Sequence, residues 1–269
     1  MATVTSESQA ALASELAETI SASELTVADE LFSALDVMDH SAALRRALTD
    51  PSREPQERAA VVRSLFGAQA QQKTVTMLEA VVSRRWGADR DLGEAIENLA
   101  VTVVAAQAER TGLQGLEELE GALLGFRHTV AGSHEVQHAL TDHQAPASAK
   151  QKLAARLSPA ASAEARLLID RAVTAPRGMR PTALVGEFAS TVAARQQRWI
   201  AQVTVAKDLG GAYLEKLSSS LDRYFGRELR LDVVVDPTVV GGIRAQVGDE
   251  VVDSTVAARL NSLQRKISR

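Results

Sequence analysis

A chain of 269 residues with 45 % hydrophobic content can bury one large core or two or three small ones. Its formal net charge of −4 disfavours a nucleic-acid partner, and the absence of cysteine removes disulfides, thiolate nucleophiles and cysteine metal ligands together. Aromatic residues make up only 3 %, so the expected cores are of Ala, Val and Leu, which suit close-packed helices better than an aromatic-lined pocket.

Met1 to Ser8 has no basic region followed by an apolar core and does not read as a signal peptide. The most apolar run, Leu99 to Ala106, is too short to span a bilayer, so membrane association is expected only through a partner. Arginine outnumbers lysine by 24 to 6. With so much alanine this reads as the codon bias of a GC-rich bacterium, because a phosphate-binding surface would need the arginines to cluster.

From Ala10 to about Val104 apolar residues recur at helical spacing. Leu12, Leu16 and Ile20 predict one helix, and Leu31, Leu35 and Met38 another. Ala47-Leu48-Thr49-Asp50-Pro51 closes a short piece. Pro55 then opens a helix with Val61, Val62 and Leu65 on its face and Gly67 after it. Leu78, Val81, Val82 and Trp86 form a further face, stopped by Gly87. Leu92, Ile96, Leu99 and Val103 carry the chain onward.

The next stretch repeats the first. Ala139-Leu140-Thr141-Asp142 copies Ala47-Leu48-Thr49-Asp50 at an offset of 92 positions. At the same offset Leu31 meets Leu123, Ser41 meets Ser133, Arg58 meets Lys150 and Leu65 meets Leu157. A small gap aligns Leu78 with Leu168 and Gly87 with Gly178, before Leu92 returns to register with Leu184. The alternative is chance similarity between Ala-rich helices; the shared order of breaks and faces favours a duplicated helical module.

His134-Glu135-Val136-Gln137-His138 is a literal H-E-x-x-H. On a helix it sets two imidazoles on one face with Glu135 placed to activate a zinc-bound water. A catalytic zinc needs a third protein ligand, and neither His143 nor the distant Glu164 stands at a suitable spacing. The helix between Gly132 and Asp142 is short, and the first module has Ala42 and Arg46 at the matching places. A solvated helix with surface histidines is the expected reading, with a zinc peptidase as a minor alternative. No P-loop and no Gly-x-Ser-x-Gly occurs, so no catalytic residue, metal or cofactor is expected.

Pro181 opens a helix with Leu184, Phe188, Val192, Arg195 and Trp199 along one stripe. Ala201, Val203 and Val205 alternate as a strand, and Leu214, Leu217, Leu221 and Tyr224 predict an amphipathic helix ended by Gly226, with Asp208 as a possible cap. Leu229, Leu231, Val233 and Val235 form a second strand closed by Asp236-Pro237. Gly241-Gly242 precedes a hairpin, Ile243 to Val247 and Val251-Val252, turned at Gly248-Asp249. Asp253-Ser254-Thr255 would then cap a helix bearing Val256, Leu260 and Leu263.

This last stretch resembles the C-terminal signature of the δ-subunit family of F-type ATP synthases, called oligomycin sensitivity-conferring protein in mitochondria. The matching residues are Val235-Asp236-Pro237, Gly241-Gly242-Ile243, Val247-Gly248-Asp249, Val252-Asp253-Ser254 and Arg259-Leu260. The signature is structural: these residues build a small sheet and its turns. The family normally carries one helical bundle before it, and this chain reads as carrying two.

The expected fold is therefore mainly α: two tandem helical-bundle modules, 1–94 and 95–199, followed by a small α/β domain, 200–269. The resemblance implies a non-catalytic stator subunit of a proton-translocating synthase. Its helical modules would grip the α (and β) subunits of the catalytic head, and its C-terminal domain the b subunit of the stalk. It would sit on the cytoplasmic face of the bacterial plasma membrane, touching the membrane only through the complex. A helical-repeat adaptor unrelated to ATP synthase is the alternative.

Overall fold

A computed structural model describes residues 8, 11–196, 200–207, 209–226, 229–236, 242–247 and 250–253. The chain divides into two compact units, Met1–Val192 and Ala193–Arg269. As the sequence predicts, it is mainly helical and closes in a small α/β unit.

In the first unit a helical segment over 11–15 leads into α1 (Ala17–Ser21), α2 (Leu25–Asp39), α3 (Ala42–Thr49), α4 (Pro55–Phe66), α5 (Gln72–Ser83) and α6 (Asp89–Ala108). A 3-10 turn, Glu109–Thr111, joins α6 to α7 (Leu113–Ala131), α8 (His134–Thr141), α9 (Ala147–Leu157), α10 (Ala163–Thr174) and α11 (Pro181–Gln196). The helical periodicity decides what is buried. Val27, Ala28, Leu31 and Leu35 of α2 meet Ile96, Ala100, Val103 and Val104 of α6, and none of these eight is accessible to solvent. Each buried Val or Leu contributes roughly 1.5–3 kcal/mol, so this seam is the main source of stability in the first half. The α10 helix packs on α2, α6 and α7, which places Leu168, Ile169, Ala172 and Val173 in the same interior.

The order α3–α4–α5 recurs as α8–α9–α10, with lengths of 8, 12 and 12 residues against 8, 11 and 12. Matching turns accompany it. The Ser41 hydroxyl accepts from Leu44 N at 3.2 Å, and that of Ser133 from Val136 N at 3.4 Å. After these helices Asp50 and Asp142 adopt the same extended backbone, and each carboxylate accepts from the amide two residues on, at 2.9 and 2.8 Å. The expected boundary between residues 94 and 95 falls inside α6, a single helix of 20 residues.

Two local expectations are corrected. Leu65 is 43 % exposed, because the buried stripe of α4 runs instead through Arg58, Val62 and Phe66. Arg58 can enter the interior because its guanidinium donates to the carbonyls of Arg84 and Ser83, at 3.0 and 3.3 Å, where α5 ends. Trp86 lies beyond α5, and its indole N–H donates to the Val81 carbonyl at 2.9 Å.

The second unit is a four-stranded sheet with one helix. The strands β1 (Ile200–Val205), β2 (Arg230–Val235), β3 (Ile243–Val247) and β4 (Glu250–Asp253) lie in the order β2-β1-β3-β4. α12 (Gly211–Phe225) makes the crossover that a parallel β1–β2 pair requires. Alternation sends Ala201, Val203, Val205, Ala245 and Val247 to one face, where they pack with Leu221 and Leu229. β3 and β4 are antiparallel with Val247 opposite Glu250, the expected hairpin. Gly226, at φ 68°, stops α12 as the sequence predicts. Tyr224 is not on the buried face of α12: it is 69 % exposed, and Phe225 packs against the core in its place. Asp208, Trp199 and the expected closing helix lie outside the described residues.

Candidate functional site

The densest polar arrangement in the helical unit joins its two runs of helices. On α2, Asp36 and Asp39 stand three residues apart and so share a side of the helix. Glu97 projects from α6, Arg171 from α10, and Arg177 from the turn before α11. Arg171 Nη1 donates to Asp36 Oδ1 at 2.6 Å, and its guanidinium lies 5.0 Å over the Phe32 ring. Arg177 donates to Asp39 Oδ2 at 2.7 Å and to Glu97 Oε2 at 3.2 Å. Gly93 makes room for this: a Cβ there would overlap Arg177 Nη2. The backbone is shaped for it too, since Arg177 has φ 50° and Gly178 φ 83°. A left-handed arginine costs of order 1 kcal/mol, which its ion pairs must offset.

Burial sets the electrostatics. It raises the Glu97 carboxyl above its ordinary range, against the opposing pull of Arg177 and Arg171. Burial would likewise lower Arg177, but the hydrogen bonds and charges of Asp39 and Glu97 outweigh it and hold the guanidinium above its ordinary value. Glu97 Oε1 and Arg171 Nε face each other at 3.9 Å, a charge contact too long for a hydrogen bond. The arrangement holds helices in a fixed relation. Its carboxylates answer arginines, so none is poised as a free base.

Sequence reasoning did not find this cluster. One signal was present: Glu97 shares a helical face with Gly93, Ala100 and Val104, and a carboxylate on such a face needs a buried cation. Two openings flank the region. A polar cleft of about 540 Å³ is walled by Glu97, Arg177, Glu94 and Glu187. A smaller apolar groove of about 160 Å³ runs between Leu12 and Ile20 on one side and Ala95 and Leu99 on the other.

His134 and His138 stand exposed on α8, which is only eight residues long, and Glu135 is exposed beside them. Among the described residues no group of three or more His, Cys, Asp or Glu could hold a metal ion. Of the signature residues, Asp236 continues the β1–β2 ladder by donating its N–H to Val205 O at 2.8 Å. Gly242 precedes β3 with φ 88°, and Asp253 ends β4 opposite Arg244. Pro237, Gly241, Gly248, Asp249, Ser254, Arg259 and Leu260 lie outside the described residues.

Comparison with known proteins gives a consistent result. The family model described as ATP synthase delta (OSCP) subunit matches residues 98–267, that is, the second run of helices and the α/β unit. A protein of Renibacterium salmoninarum named ATP synthase subunit delta is 48 % identical over 270 residues, covering 100 % of both chains. The same name is carried by a Pseudarthrobacter chlorophenolicus protein, 46 % identical over 100 % of both chains. A Streptomyces avermitilis protein of that name is 34 % identical over 94 % of this chain and 92 % of its own.

Proposed function

The chain belongs to the ATP synthase delta (OSCP) subunit family, and from that premise we propose that it is a non-catalytic peripheral-stalk subunit linking the catalytic head to the b stalk. The observation that carries this reading is likeness over the entire chain to proteins named ATP synthase subunit delta, the first helical run included. In this reading the helical region is two copies of one module, and its grooves receive amphipathic segments of the α (and β) subunits. The α/β unit holds the b subunit. Laying apolar helix faces into grooves gives affinity without reactive groups, and gripping at several points slows dissociation under torque. The ion-pair cluster of Asp36, Asp39, Glu97, Arg171 and Arg177 supports it, since a strut that transmits force gains from copies that cannot slide on each other.

No helix among the described residues is long and apolar enough to cross a membrane. In the stalk reading the subunit is peripheral, on the cytoplasmic face, attached through the complex. The test is affinity purification of the tagged chain from detergent-solubilised membranes of its host. Recovery of α, β and b subunits in constant proportion is the expected result. Recovery of other partners without them would replace this reading by a general helical adaptor.

A further inference from the structure

Around Arg180 two adjoining clefts, of about 610 and 380 Å³, share the walls Leu140, Thr141, Arg180 and Pro181. His143 and Lys150 line the larger, and His134 and His138 the smaller. Neither is lined by Asp or Glu, although acids outnumber bases in the chain by 34 to 30. The neighbouring Asp142 carboxylate turns away to accept from Gln144 N at 2.8 Å. Glu135, on the same helix as His134 and His138, lines neither cleft.

The first run of helices shows what this place holds when it is structural. Lys150 corresponds to Arg58, which is 3 % exposed and spends its donors on the carbonyls of Ser83 and Arg84. In the second run the shorter lysine instead borders the larger cleft beside Thr174, near the end of α10. The clefts' histidines are not repeated in the first run, where Ala42 and Arg46 stand in place of His134 and His138. Of the basic groups lining the clefts, His138 and Lys150 stand where the first run has Arg46 and Arg58, while His134 and His143 stand where it has Ala42 and Pro51, so the clefts keep their positive positions and add imidazoles.

We infer that the Arg180 clefts form a binding site for a small phosphate-bearing anion, a polyphosphate or phosphate ester. Their volumes suit a small molecule. A guanidinium shared by both openings, an ammonium and imidazole donors match phosphate oxygens by charge-assisted hydrogen bonds.

Isothermal titration calorimetry on the full chain tests this with sodium tripolyphosphate and, separately, AMP as probes. Saturable binding is expected, weakened about tenfold or more by Lys150→Gln with Arg180→Gln and unchanged by Lys152→Gln, which removes an exposed charge outside the clefts. Both substituted groups border open clefts, so thermal melts should match the parent protein. Three results would overturn the inference: no saturable heat with either probe up to roughly 1 mM, an equal loss in Lys152→Gln, or binding only of a hexaglutamate peptide or of phosphatidylglycerol vesicles run in parallel.

Discussion

Gly93 on α6 leaves the space that the Arg177 guanidinium occupies from the turn between α10 and α11. A residue of the first helical run is thereby small so that a charge of the second can reach Glu97 and Asp39. Gly93→Ala should gain about 1 kcal/mol of helix propensity but displace a guanidinium whose loss strands a buried carboxylate, at about 3 kcal/mol. Net destabilisation of roughly 2 kcal/mol is expected in urea unfolding. In an Arg177→Ala background the same change should become neutral or stabilising, because nothing remains to be displaced. Equal effects in both backgrounds would refute the coupling.

Glu97 gives a pH prediction whose sign follows from its burial. Folded, this carboxyl binds its proton at higher pH than the ordinary value of 4.5, so between the two values the folded chain holds more protons than the unfolded one. Its contribution is complete below the ordinary value and is lost as pH rises through the raised one. Asp50 works oppositely, since hydrogen bonds from the Ser52 hydroxyl and amide hold its carboxyl low. The informative quantity is therefore the stability difference between the parent and Glu97→Gln, in which Asp50 cancels. That difference should move against the parent as pH is raised from 4 to 7, with urea midpoints as the readout. Movement in its favour would show that the arginines, not burial, govern Glu97.

The fold was legible where periodicity and punctuation agree. Ser41 and Ser133 cap equivalent helices, Pro55 opens α4, and the alternation of Ala201, Val203 and Val205 marks a strand whose inward face is apolar. Misreadings arose where a tertiary partner overrode hydrophobicity. Leu65 gave way to Arg58 because the carbonyls ending α5 needed a donor, and Tyr224 gave way to Phe225 in the last turn of α12, where Phe225 packs against the core. The ion cluster was illegible for a different reason. Asp39 and Arg177 are brought together by packing between segments far apart in sequence, and neither belongs to a local motif.

Asp36 and Asp39 should differ in weight although they look alike in sequence. Asp36 is 44 % exposed, but its partner Arg171 is 5 % exposed and without Asp36 keeps only the 3.9 Å contact to Glu97, so Asp36→Ala should cost about 3 kcal/mol. Arg177 still has Glu97 at 3.2 Å when Asp39 is removed, so Asp39→Ala should cost less, about 2 kcal/mol. The charge swap Asp39→Arg with Arg177→Asp should recover part of the loss if pairing matters; recovery no better than either single variant would leave only packing.

In the α/β unit the sharpest expectation concerns Gly242. Its φ is 88°, a conformation that a β-branched residue resists strongly. Gly242→Val should therefore destabilise this unit through backbone strain, by roughly 1–3 kcal/mol. A milder Gly242→Asn, which tolerates positive φ better, should lie between the two. The lesion should appear as faster amide hydrogen exchange in β3 and β4, whose pairing depends on the chain entering Ile243 in register, while exchange in α2 and α6 stays unchanged. If stalk binding resides in this unit, affinity for the b subunit should fall in the same order, Gly above Asn above Val. Faster exchange without any loss of affinity would place the stalk contact elsewhere.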